Sequence, residues 1–299
     1  MRKALAGTAS QTSIVQLDHV AVASPKISGC YNFLLRAGAT PRKGGEELHF
    51  RGGQWSFADG SVLEILEPKP PLNAENFLWR FLQPRDGSKE TSRLHHVTFL
   101  VPSVRDYASR ASELGFSVVG LSERKPHWKE AFLHPKEALG IVVQMAEYDP
   151  AVNDGMMWTE DWPDFRDYEQ LRSTASTTEP CSSIKGLAGL SLVAKDERDV
   201  ARAKDIFVKL LAGKEEEGGA SKQGNELRYS WPGSPMTVSV SWNANTAGRY
   251  VVPIERSFAH GVQIRRSAYQ GGDESAKKQA DEQALLCNEF KRLFGAPLL

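Results

Sequence analysis

Residues 17–23 read Leu-Asp-His-Val-Ala-Val-Ala, and residues 94–100 read Leu-His-His-Val-Thr-Phe-Leu. Both stretches alternate in the manner of a β-strand, and each has a histidine at its third position. A proline follows six residues after that histidine and a glycine nineteen residues after it, at Pro25, Gly38, Pro102 and Gly115. The joint agreement of strand, proline, intervening helical pattern and glycine predicts that the chain contains a duplicated unit.

Each copy is predicted to continue from its first strand into a helix and then into three short strands. The strand candidates lie at 48–51, 54–58, 62–67, 117–121, 129–133 and 141–147. Between the copies, within residues 68–93, the apolar Phe77, Leu78, Phe81 and Leu82 predict a short amphipathic helix. A third, looser copy begins at residue 187, with Gly189 at the position of the histidines, a helix at 196–212, and strands near 226–231, 236–242 and 250–255. The predicted fold is therefore α+β, with tandem βαβββ modules and a third, degenerate module.

This pattern divides the chain into five predicted regions. They are an N-terminal extension (1–14), the paired modules (15–147, made of 15–67 and 94–147), a linker (148–183), the degenerate module (184–258) and a C-terminal helical tail (259–299).

Composition excludes several classes of protein. The 37 basic and 37 acidic residues cancel, so no charge excess points to nucleic acid or an anionic membrane surface. The first 17 residues carry Arg2, Lys3 and no acidic residue, which suits an organellar presequence or a frayed terminus, and we favour the latter. Three widely spaced cysteines (Cys30, Cys181 and Cys287) predict neither a disulfide framework nor paired zinc ligands. We therefore expect a cytoplasmic protein.

Four polar residues occupy equivalent places in the first two copies. His19 and His96 lie in the first strands, and Glu64 and Gln144 lie in the last strands, 45 and 48 residues further along. A polar side chain buried without a partner costs about 1–3 kcal/mol, and these four could satisfy one another by sharing a divalent cation. A single buried histidine is more often a hydrogen-bonded core residue. Because the histidines recur at one position of the repeat, we favour a metal site.

Several motifs of the chain resemble those of the vicinal oxygen chelate superfamily. They are Leu-Asp-His-Val (17–20), Leu-Glu-Ile-Leu-Glu-Pro (63–68), Leu-His-His-Val (94–97), Phe-Leu-His-Pro-Lys (132–136) and Gly-Ile-Val-Val-Gln (140–144). Residues 16–147 are most similar to methylmalonyl-CoA epimerases and, more distantly, to glyoxalase I. The resemblance implies modules whose sheets form a cup around one divalent metal ion, with His19, Glu64, His96 and Gln144 as ligands. Those epimerases usually have a glutamate where this chain has Gln144, so the amide leaves the site more positive.

The function implied by this resemblance is that of a metal-dependent isomerase, epimerase or lyase. Such an enzyme abstracts a proton next to a carbonyl and stabilises an enolate on its Zn, Co, Ni, Mn or Fe ion. For the proton-transferring base, transient release of Glu64 and the second-strand Glu47 are the alternatives. The expected partner is a small carbonyl compound, such as an acyl thioester or a hemithioacetal, and a homodimer is left open.

Two other functions fit the same pattern. An extradiol-type dioxygenase needs two histidines and one carboxylate, and by analogy within the superfamily the carboxylate is expected at position 144, where this chain has an amide. A non-catalytic, resistance-type protein would use the cup only to bind a small molecule. The third module, which lacks the histidine, suits a structural or dimerising role.

Overall fold

The computed structural model describes residues 14–83, 92–125, 127–149, 170, 184–221, 224–242 and 261–266. Across these residues the fold is α+β, with two β-sheets and four short α-helices. None of the helices in these ranges has the length and apolar character needed to cross a membrane.

The larger sheet has eight strands. They are β1 (Gln16–Ala23), β2 (Thr40–Glu46), β3 (Phe50–Ser56), β4 (Val62–Pro68), β5 (Arg93–Leu100), β6 (Val118–Lys125), β7 (Trp128–Leu133) and β8 (Val142–Tyr148). Their order in the sheet is β2-β3-β4-β1-β5-β8-β7-β6. β1 is parallel to β4, β5 is parallel to β8, and β1 and β5 pair antiparallel at the centre. The two halves of the sheet therefore have the same strand arrangement about the β1–β5 pair.

The smaller sheet repeats the arrangement of one half. Its strands are β9 (Ile184–Val193), β10 (Lys214–Ser221), β11 (Gly224–Ser230), β12 (Thr237–Trp242) and β13 (Gly261–Arg266). Their order is β10-β11-β12-β9-β13. β9 is parallel to β12 and antiparallel to β13, as β1 is parallel to β4 and antiparallel to β5.

The described ranges contain four short helices, of which the first, third and fourth each follow the first strand of a set and the second lies between β4 and β5. They are α1 (Tyr31–Arg36, after a 3-10 turn at Ile27–Cys30), α2 (Phe77–Leu82), α3 (Val104–Glu113) and α4 (Glu197–Lys204, continued by a π-helical turn at Asp205–Leu210). The side chains of Ser103 and Asp196 begin α3 and α4 by accepting hydrogen bonds from the backbone N–H groups of Asp106 and Asp199. The helix predicted at 77–82 is confirmed as α2, which lies between β4 and β5.

Some strands differ from the sequence prediction. The strand predicted at 48–51 falls on a turn and the start of β3, whereas β2 (Thr40–Glu46) was not predicted. Its sequence, Thr-Pro-Arg-Lys-Gly-Gly-Glu, is untypical of a strand, but an edge position tolerates proline and charged side chains. The glutamate-rich β10 was missed for the same reason. The predicted strand at 250–255 lies outside the described residues, as does the C-terminal helical tail (259–299) apart from residues 261–266.

The eight-stranded sheet curls so far that its two ends touch. β2 and β6 are the end strands, yet Lys125 Nζ on β6 lies 2.6 Å from Glu47 Oε1, directly after β2. Lys43 Nζ on β2 also lies 4.5 Å from the ring centroid of Trp128 on β7. The inner face of the curl is thus enclosed between side chains from both halves of the sheet.

The two sheets share one apolar core. Phe99, on the outer face of β5, packs its ring 4.7 Å from that of Trp231 and 6.2 Å from that of Phe207. Phe207 also lies 5.2 Å from the ring of Tyr229, and all four rings are buried. The segment that carries the smaller sheet is therefore packed against the back of the central strand pair.

We expect Phe207→Ala to lower the free energy of unfolding by about 3–5 kcal/mol, because it removes a fully buried ring from the contact between the sheets. Phe77→Ala, at a partly exposed site, is the matched control and should cost under about 1 kcal/mol. Urea unfolding followed by tryptophan fluorescence and by far-UV circular dichroism measures both. A separate transition that moves alone in Phe207→Ala, with the remaining signal unchanged, would show that the smaller sheet folds independently.

Candidate metal centre

The two histidines of the repeat meet at the central strand pair, where each is preceded by a β-bulge. On β1, Leu17 and His19 pair with successive residues of β5, so Asp18 is the extra residue. On β5, His96 and Leu94 pair with successive residues of β1, so His95 is the extra residue. A bulge changes the direction of nearby side chains. Here it places the polar atom of each extra residue beside the histidine that follows.

His19 is almost fully enclosed and has three polar neighbours. Its Nδ1 lies 2.7 Å from Asp18 Oδ2, and its Nε2 lies 2.9 Å from Thr98 Oγ1 and 3.4 Å from Glu64 Oε2. The Thr98 hydroxyl donates its one hydrogen to Gln144 Oε1, at 2.6 Å, so His19 Nε2 must donate to Thr98. His19 therefore carries a proton on both nitrogens in this arrangement, and a metal ion at Nε2 would replace one of them.

His96 has fewer polar partners than His19. Its Nδ1 lies 2.8 Å from His95 Nδ1, and its Nε2 lies 3.3 Å from Glu64 Oε2. That Nε2 is buried, and among the described residues no group makes a hydrogen bond with it. Leaving such an atom unpaired costs about 1–3 kcal/mol. A metal ion is a partner that would satisfy it.

Glu64 joins the two histidines. Its Oε2 is the oxygen that faces both Nε2 atoms, while its Oε1 accepts a hydrogen bond of 3.2 Å from Gln54 Nε2 on the neighbouring strand. One ligand atom from each of His19, Glu64 and His96 lies within 4.8 Å of the others. Two imidazole nitrogens and a carboxylate oxygen form a donor set suited to Zn²⁺, Fe²⁺ and similar divalent ions. These three residues could therefore hold a metal ion.

The pKa values of these groups reflect burial opposed by their neighbours. Burial disfavours the charged imidazolium of His19, but Glu64 and Asp18 outweigh it and raise its pKa to about 9. Burial likewise opposes ionisation of Glu64, but His19 and His96 hold the pKa of its carboxyl well below its usual value. Burial lowers the pKa of His96, and burial together with the charge of His96 lowers that of His95 to about 3. The neighbouring carboxylates thus favour the charged form of His19, whereas burial favours the neutral forms of His95 and His96.

Gln144 lies on the same inner face, one hydroxyl away from the three donors. Its Oε1 accepts from Thr98, and its Nε2 donates to Glu130 Oε2 at 2.8 Å. Because a carboxylate can only accept, Glu130 fixes the NH₂ end of the amide and turns its carbonyl oxygen towards Thr98 and His19. Gln144 as the fourth metal ligand remains a prediction.

Glu47, the second candidate for the base, lies elsewhere. It follows the edge strand β2, is exposed, and pairs with Lys125 where the ends of the sheet meet. Its role as the base also remains a prediction.

Strict alternation would place Leu17 and Leu94 on the face of the histidines, and His95 on the opposite face, packed against a helix. The bulges change the pattern, because Leu17 pairs with Phe99 and His95 contacts the ring of His96. The packing of His95 against a helix is confirmed, since its ring also contacts Phe77 and Phe81 of α2.

Four polar partners were missed altogether. They are Asp18, Gln54, Thr98 and Glu130. Thr98 had a detectable signal, because it is a polar residue between the apolar Val97 and Phe99. Gln54 had none, because its strand also contains Arg51 and Ser56.

The smaller sheet lacks the donors. Ser191 pairs with Ser239 across β9 and β12, as Ala21 pairs with Glu64 across β1 and β4, so Ser239 stands at the position of the carboxylate. Gly189 stands at the histidine position with a φ of +139°, and a Cβ there would lie 1.8 Å from the backbone oxygen of Thr237. A histidine cannot be accommodated by this backbone.

About half of the chain is similar to solved structures, at 18–22% sequence identity. A hypothetical protein of Bacillus halodurans is 22% identical, over 47% of this chain and 99% of that chain, with a TM-score of 0.39. Methylmalonyl-CoA epimerase of Mycobacterium tuberculosis is 19% identical, over 47% and 93%, with a TM-score of 0.40. A variant of the Streptomyces coelicolor epimerase in complex with 2-nitronate-propionyl-CoA is 22% identical, over 46% and 99%, with a TM-score of 0.37. No family model and no curated protein matches the chain.

We predict one divalent ion per chain after incubation with Zn²⁺, Co²⁺, Ni²⁺, Mn²⁺ or Fe²⁺ followed by dialysis. His96→Ala should lower the metal affinity by at least about 100-fold, because it removes a ligand rather than an outer hydrogen-bond partner. Elemental analysis and competition with a chromophoric chelator measure the two effects.

His134→Ala is the matched control for this prediction. The His134 ring accepts a hydrogen bond from the backbone N–H of Lys136 in the turn after β7, so its loss should leave the metal content unchanged. A wild-type chain that stays free of every one of the five ions would contradict the assignment of the centre.

Proposed function

We propose that residues 16–148 are a pair of βαβββ modules of the vicinal oxygen chelate type, which form a cup around one divalent metal ion. We further propose that this site removes a proton next to a carbonyl group of a small-molecule substrate. The observation that carries the proposal is the position of Glu64 Oε2, within 3.4 Å of the inward nitrogens of His19 and His96. The equivalent arrangement of strands in the two halves of the sheet supports the duplication.

His19, Glu64 and His96 would hold the ion, with Gln144 as the fourth ligand. A divalent ion in this place supplies a Lewis acid for the carbonyl oxygen of a substrate. Glu64 is the one anionic member of the proposed ligand set, so the site would keep a net charge near plus one. A positive site favours a developing oxyanion over a neutral carbonyl, which is the difference that lowers a barrier.

The surrounding side chains preorganise the ligands. Asp18 fixes the His19 ring through Nδ1, and His95 contacts the His96 ring at the corresponding nitrogen. Gln54 holds the second oxygen of Glu64, so that Oε2 remains turned towards both histidines. Ligands positioned by such outer contacts need little reorganisation when a substrate binds.

A second candidate function follows from the same donor set. Two histidines and one carboxylate are also the ligands of non-haem iron oxygenases. That function predicts Fe²⁺-dependent oxygen consumption with a catechol-like substrate, which a proton-transfer enzyme does not show.

The proposed function predicts hydrogen exchange with solvent. In deuterated buffer, a substrate with an acidic C–H next to its carbonyl should take up deuterium when protein and metal are present, as NMR or mass spectrometry measures. Methylmalonyl-CoA, related acyl thioesters and glutathione hemithioacetals form the panel, because the sequence motifs resemble those of epimerases and glyoxalases. His96→Ala should abolish the exchange, and His134→Ala should retain it.

Two results would overturn this function. Tight binding of a panel member without exchange would identify a non-catalytic binding protein. Oxygen uptake without exchange would identify the oxygenase.

A further inference from the structure

We infer that Glu130 is the carboxylate that accepts the substrate proton, an inference that rests on the proposed function. Glu130 lies on β7, on the inner face of the curled sheet, and is half-buried. Its Oε2 accepts a hydrogen bond of 2.8 Å from Gln144 Nε2 and one of 2.9 Å from Trp128 Nε1. Gln144 and Thr98 then link it to His19. Glu130 thus contacts Gln144, the proposed fourth ligand, and lies two polar side chains away from His19.

Both hydrogen bonds of Glu130 fall on the same oxygen. Across the described ranges of the chain, Oε1 of Glu130 takes part in no hydrogen bond, and the carboxylate has no ion pair. The two donors nevertheless fix the plane of the carboxylate, because they approach Oε2 from β8 and from within β7. Oε1 is therefore an oriented acceptor that is available to a substrate.

The other carboxylates near the centre are committed to different partners. Glu64 uses Oε2 for both histidines and Oε1 for Gln54. Asp18 contacts His19 and also the guanidinium of Arg42, and Glu47 pairs with Lys125. Among the described residues, Glu130 makes no ion pair, so its second oxygen is not committed to another group.

Trp128 keeps the nearby cation away from this carboxylate. The face of its indole ring is covered by Lys43 Nζ at 4.5 Å, whereas its Nε1–H at the ring edge points to Glu130. A cation over an aromatic face is attracted by the ring itself. Lys43 is thereby held by the ring that donates to Glu130 rather than by Glu130.

The proposed step is a proton transfer from carbon to a carboxylate oxygen. The C–H bond next to the substrate carbonyl breaks, and the proton passes to Oε1 of Glu130. The electron pair of that bond becomes the carbon–carbon double bond of the enolate. The protonated Glu130 exchanges its proton for a deuteron of the solvent, and return of that deuteron from Oε1 to the same carbon regenerates the carbonyl compound.

The test uses Glu130→Gln in the metal-loaded, full-length protein. Glutamine keeps the size of the side chain and a carbonyl oxygen that accepts from Gln144 and Trp128, but it cannot take up the proton. Deuterium exchange of the panel member that reacts best with the wild type should fall by at least about 100-fold. Metal affinity, measured by chelator competition, should stay within about threefold. Glu123→Gln is the control, because Glu123 lies on the edge strand β6 and pairs with Arg105 of α3. It should leave the exchange rate and the metal affinity unchanged.

Chemical rescue separates proton transfer from a purely structural role. Added formate should restore part of the exchange in Glu130→Ala, because a small carboxylate can occupy the space and accept the proton. If Glu130→Gln exchanges the substrate as fast as the wild type, the role of Glu130 is overturned and the proposed function stands. Loss of metal affinity in step with exchange, without rescue by formate, would show a structural role instead. A wild type that exchanges no panel member would overturn both the proposed function and this inference.

Discussion

β1 and β5 pair antiparallel in the middle of the eight-stranded sheet, and the candidate metal centre depends on this pairing. His19 and His96 are 77 residues apart in the sequence, but the pairing brings their rings to 5.6 Å on one face. Glu64 reaches the same point because β4 is parallel to β1, in register with it. Strand pairing between two similar halves therefore builds the centre, and no single loop has to fold precisely to form it.

The inner face of the curled sheet tolerates many polar side chains because they bind one another. A continuous series of hydrogen bonds and close polar contacts runs from Glu130 through Gln144, Thr98, His19 and Glu64 to Gln54. Partly satisfied networks are costly in a low-dielectric interior, whereas satisfied ones fix side-chain orientation. Among the described residues, two buried atoms of this series and its donors lack a hydrogen bond, Oε1 of Gln54 and Nε2 of His96, and the latter faces Glu64. A metal ion at the centre would give Nε2 of His96 a partner.

The sequence predicted the residues that local patterns identify and missed those that only contacts between distant strands identify. His19, Glu64 and His96 could be predicted because the repeat and the strand alternation are local patterns. Asp18 and His95 could not be placed, because a bulge depends on how two distant strands pair, and alternation alone assigns these residues to the wrong face. β2 was missed because an edge strand needs few apolar residues. Glu130 has polar neighbours in its own strand, so only the inter-strand contact with Gln144 identifies it.

The smaller sheet packs behind the candidate centre without adding a ligand to it. The backbone oxygen of Thr237 occupies the space that a side chain at position 189 would need, so this backbone excludes a histidine there. The ring cluster of Phe207 and Trp231 instead covers Phe99. Phe99 occupies the outer face of β5 between Thr98 and Leu100, while Thr98 and His96 point inwards. Close packing behind a strand limits its movement, and ligands held to within a fraction of an ångström need such a support. The smaller sheet thus supports the strand that carries His96, and its described residues contribute no donor to the centre.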